Sequence, residues 1–286
     1  MVLLARLPER GVLAVAGEDR FSFLQGLVSN DVAEAKPGRA VWAALLTAQG
    51  KWLADFFIFS DPTFVDSTFV DSTFVDSGRL LLDCEHAQIE MLLARLQRYR
   101  LRARVALADA SSEFFVYAAW NGTPDLPPSV IAAPDPRLPE AGWRLLSPAP
   151  LAANASFEDW DRHRLSLGLP DGSRDLEPER TLLLEAGFDE LAGISWTKGC
   201  YMGQELTART RYRGLIKRRL LPVAVAGPLP APDTPVTAGG VVRGTMRSGF
   251  NDLGLASLRL DALGEPLLCG EATLTPRPPP WLRLAN

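Results

Sequence analysis

The chain has 286 residues, 47% of them hydrophobic and 22% charged, with a formal net charge of -4. That is globular composition, long enough for two or three cores, and the acidic balance argues against a general nucleic-acid-binding surface. No apolar run approaches the about 20 residues of a spanning helix, and Met1–Pro8 lacks the charged start and long apolar core of a signal peptide, so no membrane is expected and the cytoplasm is the expected compartment.

Gly11–Val15 predicts a short strand, broken at Gly17-Glu18. Asp19 is placed to cap a helix whose apolar face is Phe21, Phe23, Leu24, Leu27 and Val28. Val41–Ala48 and Lys51–Phe59 are β-rich runs joined around Gln49-Gly50 in the manner of a hairpin. Residues 63–77 hold a threefold Thr-Phe-Val-Asp-Ser repeat. A period of five fits neither strand nor helix, since Phe64, Phe69 and Phe74 would alternate faces on a strand. The repeat reads as a tandem expansion in a protruding hairpin loop after an Asp61-Pro62 turn, because loop lengthening costs only about 0.6 kcal/mol per doubling.

Glu85–Tyr99 carries Ile89, Leu92, Leu93 and Leu96 at helical spacing, and strands are expected at Arg102–Ala108 and Phe114–Trp120. Residues 121–150 are proline-rich, without a long periodic pattern, and read as a surface connection. Ser156, with Asp159 three positions on, approximates a capping box that opens a further helix. The glycine-punctuated runs Pro222–Gly227, Gly240–Ser248, Gly254–Asp261 and Pro266–Thr275 predict a small all-β module, a barrel. Strands and helices mixed without a strict βαβ rhythm give the α+β class. The expected division is 1–120 and 121–216, both α+β, then 217–286 as the barrel.

The three cysteines, Cys84, Cys200 and Cys269, lie far apart, and the histidines are His86 and His163 alone. A resident zinc or iron–sulfur site needs about four soft or imidazole ligands, so no metal is expected, and cluster chemistry would run through a partner. No dinucleotide fingerprint, Walker-type loop or nucleophile elbow is present, and two histidines make a hydrolase triad improbable. The chemically loaded stretch is Lys198-Gly199-Cys200-Tyr201-Met202-Gly203-Gln204-Glu205, followed by Thr207-Ala208-Arg209. Glycines around Cys200 let the backbone turn freely, and Lys198 stands close enough in sequence to favour the thiolate. Arg209, Arg211, Arg213, Lys217, Arg218 and Arg219 add positive charge. The plain alternatives are a buried structural cysteine and a solvated cationic face.

This octapeptide, with Ala208-Arg209 after it, resembles the signature of the YgfZ family. Phe23-Leu24-Gln25-Gly26 with Ser29-Asn30-Asp31 looks like the family's N-terminal segment. Gly168-Leu169-Pro170, Pro178-Glu179 and Leu184-Glu185-Ala186-Gly187 precede the signature at the family's spacing, and Val241–Leu258 looks like its barrel. The resemblance implies a three-lobed, glycine-cleavage-T-protein-like ring and binding of tetrahydrofolate. It implies a role in assembly or repair of iron–sulfur clusters beside carrier or client proteins, with Cys200 as the key functional residue and Lys198 beside it. Glu185 is the candidate partner of the pterin donors. Trp42, Trp52 and Trp196 are candidate stacking walls, Arg209 and Arg211 candidate partners of the glutamyl tail, and Asn30 and Asp31 further contacts or helix caps. One departure stands out. T-proteins carry an aspartate pair after a hairpin, and Gly50-Lys51-Trp52-Leu53-Ala54-Asp55 places Ala54 at one of the two positions. Alanine moves no proton, which counts against the alternative of a true aminomethyltransferase. A folate-free scaffold of the same fold is the third reading.

Overall fold

The computed structural model describes residues 1–65, 77–214 and 216–284. The chain divides into two compact units. The first comprises Met1–Leu46, Ala54–Phe157 and Ala192–Met202; the second comprises Thr47–Leu53, Glu158–Leu191 and Gly203–Asn286.

The first unit contains β1 (Leu3–Arg6), β2 (Arg10–Ala16), α1 (Arg20–Gln25), β3 (Val41–Leu46), β4 (Trp52–Val65, whose first two residues belong to the second unit), β5 (Ser77–Glu85), α2 (Ile89–Arg100), β6 (Ala106–Asp109), β7 (Phe115–Trp120), β8 (Ile131–Pro134) and β9 (Trp143–Ser147). They form a five-stranded sheet in the order β3-β4-β5-β2-β6 and a four-stranded sheet in the order β1-β7-β9-β8. β3 is buried at every position, so its apolar run, Val-Trp-Ala-Ala-Leu-Leu, shows no alternation. α2 packs on β2 and β6, burying Ile89, Leu92 and Leu96 on one stripe. Asp83 of β5, fully buried, joins the two sheets: Arg10 donates to it at 2.7 Å and Arg144 of β9 at 2.5 Å.

The second unit contains α3 (Phe157–Leu167, whose first residue belongs to the first unit), α4 (Gln204–Arg213), β10 (Arg218–Ala226), β11 (Pro235–Ala238), β12 (Val241–Phe250), β13 (Leu253–Arg259), β14 (Leu267–Cys269) and β15 (Ala272–Pro276). The six strands close into a barrel in the order β10-β13-β12-β11-β14-β15. Its interior is apolar and includes Cys269. Arg164 of α3, 2% exposed, donates to Asp161 at 2.7 Å, to Asp175 at 2.5 Å and to Ser248 of β12 at 2.7 Å, fixing the helix to the barrel.

The α+β class with a small C-terminal barrel therefore holds. Several local expectations do not. Residues 121–150 are more than a surface connection, since they contain β8 and β9. β4 runs through Asp61-Pro62 to Val65 rather than turning there, and its ladder with β5 shifts register between Asp61 and Val65. The threefold repeat lies outside the described residues from residue 66 to 76. Asp19 precedes α1 without a side-chain cap, because its carboxylate accepts the Arg104 N–H at 2.8 Å instead. The strand expected from Arg102 starts at Ala106.

Candidate functional site

In the first unit, two motifs that are far apart in sequence form one packed assembly. The Lys198 ammonium donates to the carbonyls of Gln25 and Val28, at 2.6 Å each, just past the C-terminal end of α1. The Gln25 carbonyl closes α1, where the helix dipole favours a cation, and Val28 lies just beyond it. The Ser29 hydroxyl donates to the Gly193 carbonyl at 2.7 Å and accepts the Ala44 N–H at 2.9 Å. Asn30 spreads its amide between the carbonyls of Trp42, at 2.8 Å, and Ala192, at 2.7 Å. Backbone bonds from Ser195 to Ser29 and from Met202 to Gly26 complete the seam.

That seam fixes how Cys200 is presented. Lys198 is half-buried and Tyr201 buried, with the ammonium 5.2 Å from the Tyr201 ring centroid. Between these anchors Gly199 takes φ +97°, with open space where a side chain would stand, and Cys200 is exposed. Gly203, at φ +81°, ends the loop as the N-cap of α4. Cys84 and Cys269 are both buried, and burial pushes the Cys84 thiol up to about 12. Among the described residues no cluster of three or more metal-ligating side chains exists.

The Lys198 ammonium is engaged with two backbone carbonyls, a structural role beside the one expected of it. Burial lowers its pKa to about 8, against the attraction of Asp31. Asp31 itself accepts from Gln25 at 2.9 Å and from the Ala33 N–H at 3.1 Å, capping a short 3-10 turn. Beside the seam opens a cleft of about 700 Å³, lined by Asn30, Asp31, Glu34, Arg39, Ala192 and Thr197 among others. Trp42 is wholly buried, and its indole N–H donates to buried Asp55 at 2.9 Å; Ala54 is buried as well. Trp196 is half-buried and has surface to offer.

The second unit holds the other candidates. Trp52 is wholly buried, and its backbone bonds Thr181 and Glu179. Gly50, at the tip of the β3–β4 hairpin, takes φ +78°, and a side chain there would meet the Gly203 carbonyl at 2.5 Å. Glu185 lies half-buried in a 3-10 turn against which α4 packs. Burial raises its carboxyl, opposed by a backbone hydrogen bond from Leu182 and by nearby Lys51, Arg218 and Arg219. Arg209 is exposed on α4, and Arg211 reaches Asp189 at 3.6 Å. Sequence reasoning missed Asp55 as the partner of Trp42, although the run Gly50–Asp55 had drawn notice, and missed Ser29 as the residue that binds the seam together, for which the small polar run Ser29-Asn30-Asp31 was the signal.

Residues 217–284 match the family model for the CAF17 C-terminal beta-barrel domain. The chain is similar over 98% of its length to the crystal structure of glycine cleavage system aminomethyltransferase T from Bartonella henselae, with a TM-score of 0.71 and 13% identity, which establishes the shared fold. A Mycosarcoma maydis protein named as an IBA57 homolog, an iron–sulfur cluster assembly factor of mitochondria, is 36% identical over 77% of this chain, which spans 57% of that protein's length. The Mus musculus and Homo sapiens factors named IBA57 are each 34% identical over 92% of this chain. All three are named mitochondrial, which overturns the cytoplasmic placement expected from Met1–Pro8. The apolarity of a few N-terminal residues reports on secretion, not on which aqueous compartment holds a fold. With 34% identity and coverage of 79% of the mouse and human proteins, the chain belongs to the family of IBA57 iron–sulfur cluster assembly factors.

Proposed function

We propose that this protein is a folate-binding accessory factor for iron–sulfur cluster assembly or repair, working beside a carrier or client protein and, like its named relatives, in mitochondria. The observation that carries the reading is the presentation of Cys200: exposed, between flexible glycines, on a loop anchored by half-buried Lys198 on one side and buried Tyr201 on the other. One thiolate cannot hold a cluster, so Cys200 acts as one ligand of a site completed by the partner's cysteines. The likeness of its octapeptide to the YgfZ signature supports the same assignment.

Tetrahydrofolate fits the residues of the second unit. Glu185 is a carboxylate drawn out of water with no ion pair among the described residues. Such an acceptor matches the donor edge of a pterin. Arg209 and Arg211 of α4 suit a glutamyl tail. Tetrahydrofolate, when bound, supplies a carrier for a one-carbon unit. Ala54 and the engagement of Asp55 with Trp42 favour an accessory role over aminomethyl transfer.

The test is complementation of a strain lacking the gene, scored on an iron–sulfur enzyme, beside calorimetric titration with tetrahydrofolate. Cys200→Ala abolishes rescue while leaving folate affinity unchanged. Glu185→Ala weakens folate binding by about 1–3 kcal/mol, the cost of leaving pterin donors unpaired. Full rescue by Cys200→Ala removes the thiol from the function, and an unchanged affinity in Glu185→Ala removes that carboxylate from the site.

A further inference from the structure

Residues 91–108 contain five arginines, Arg95, Arg98, Arg100, Arg102 and Arg104, and no acidic residue, in a chain whose net charge is -4. The run spans most of α2 and the turn leading to β6. Arg98, Arg100, Arg102 and Arg104 are exposed, and the first three make no ion pair among the described residues. Three acids sit at the margins of the run. Glu18 pairs with Arg104, Asp19 takes the Arg104 backbone N–H, and Glu90 lies in the first turn of α2. The helix dipole accounts for Arg98 and Arg100 in the last turn, but not for Arg102 and Arg104 beyond it.

At the centre of this charge stands Leu101, 89% exposed and at φ +41°. A helix end of this kind favours glycine or asparagine, which enter positive φ at little cost. A leucine there loses twice, through backbone strain and through an apolar side chain left in water. The turn is not slack. Ala103 bonds the Arg100 carbonyl at 2.7 Å, and Arg104 is tied to Asp19 through both its N–H and its carbonyl. Gly17 meets the Arg104 carbonyl so closely that a side chain there would stand 2.3 Å from it. The fold therefore holds an apolar tip outward, flanked by Arg100 and Arg102, with Tyr99, 37% exposed, beside it.

We propose that this surface docks on an anionic phospholipid bilayer. Arginines pair with lipid phosphates while the leucine enters the headgroup boundary, and the aromatic ring suits the same depth. An exposed aliphatic tip favours lipid over single-stranded nucleic acid, whose bases stack on aromatic and guanidinium planes. No helix of the described residues is long and apolar enough to cross a membrane, and surface docking needs none. This departs from the sequence expectation of no membrane partner, which rested on the lack of a long apolar run.

The test is co-sedimentation of the whole protein with vesicles of phosphatidylcholine, with and without phosphatidylglycerol. Binding is expected only with phosphatidylglycerol, falling as salt rises. Arg98→Gln with Arg100→Gln and Arg102→Gln lowers the partition coefficient at least tenfold. Leu101→Gly keeps every charge and relieves the backbone. It lowers partitioning severalfold while thermal stability is unchanged or higher, so misfolding does not explain the loss. The proposal is overturned by failure to bind phosphatidylglycerol vesicles, by wild-type partitioning of Leu101→Gly, or by a single-stranded RNA oligomer that binds more tightly and displaces the vesicles.

Discussion

Lys198 and Arg164 are both cations taken largely out of water, one in each unit, and they are compensated differently. Arg164 sits among Asp161, Asp175 and Ser248, with Arg174 sharing Asp161. Burial alone would lower its pKa, but Asp175, Asp171 and Asp161 hold it above the ordinary value. Lys198 meets two carbonyls, dipoles rather than charges, and burial lowers it to about 8. A fully ion-paired cluster keeps its protons across the physiological range and acts as a fixed joint. A cation held by neutral acceptors is the softer fastening, and it is the one that positions the Cys200 loop.

The comparison breaks most visibly at Arg164. Arg164→Leu leaves Asp161 and Asp175 buried with a cation missing, and removing one partner of a buried pair costs about 3–5 kcal/mol. Chemical denaturation followed by tryptophan fluorescence measures it. A loss below 1 kcal/mol would mean that water already enters the cluster.

Lys198→Met costs less, about 2–3 kcal/mol, because it leaves two neutral carbonyls rather than buried charges without their donor. Its effect also depends on pH. The folded value near 8 lies below the ordinary 10.5, so between these limits the unfolded chain binds a proton that the folded chain does not. The contribution of Lys198 to stability therefore grows as pH rises from about 8 to 10.5 and is smallest below 8. Discounted for partial exposure, the growth is on the order of 1–2 kcal/mol. Denaturation of both proteins at pH 7.5 and pH 10 reads it as a difference of differences, in which other titrating groups cancel. An equal gap at the two pH values would show that the ammonium is as well solvated as a surface lysine.

The same contrast explains what was legible in the sequence. The barrel was readable because glycine and proline punctuate its strands, and α2 because Ile89, Leu92 and Leu96 recur on one stripe. The glycines around Cys200 announced an unusual loop, and the loop has it. What stayed hidden depended on distant partners. β8 ends on Pro134 at the free edge of its sheet, where a missing N–H costs no ladder bond, so proline did not exclude a strand. β9 is buried at four of its five positions and shows no alternation to detect. Lys198 looked like an electrostatic neighbour of Cys200 because its carbonyl partners lie 173 and 170 residues away in sequence.

Cys200 itself should matter least to stability, and that is what separates it from its two supports. Its side chain is exposed and the loop's shape is set by its neighbours, so Cys200→Ser should change unfolding free energy by no more than about 0.5 kcal/mol, the range of ordinary surface substitutions. The two buried thiols predict the opposite. Cys84 is 0% exposed with its thiol pushed up to about 12, and Cys269 is 0% exposed inside the barrel. Iodoacetamide under native conditions should therefore label Cys200 first, with Cys84 and Cys269 reacting only as the protein opens. In Lys198→Met the Cys200 rate should change while the other two do not, since the lysine fastens only that loop. Equal labelling of all three cysteines in the native protein would show that the loop is no more open than the core, and would remove the geometric basis for giving Cys200 to a partner's cluster.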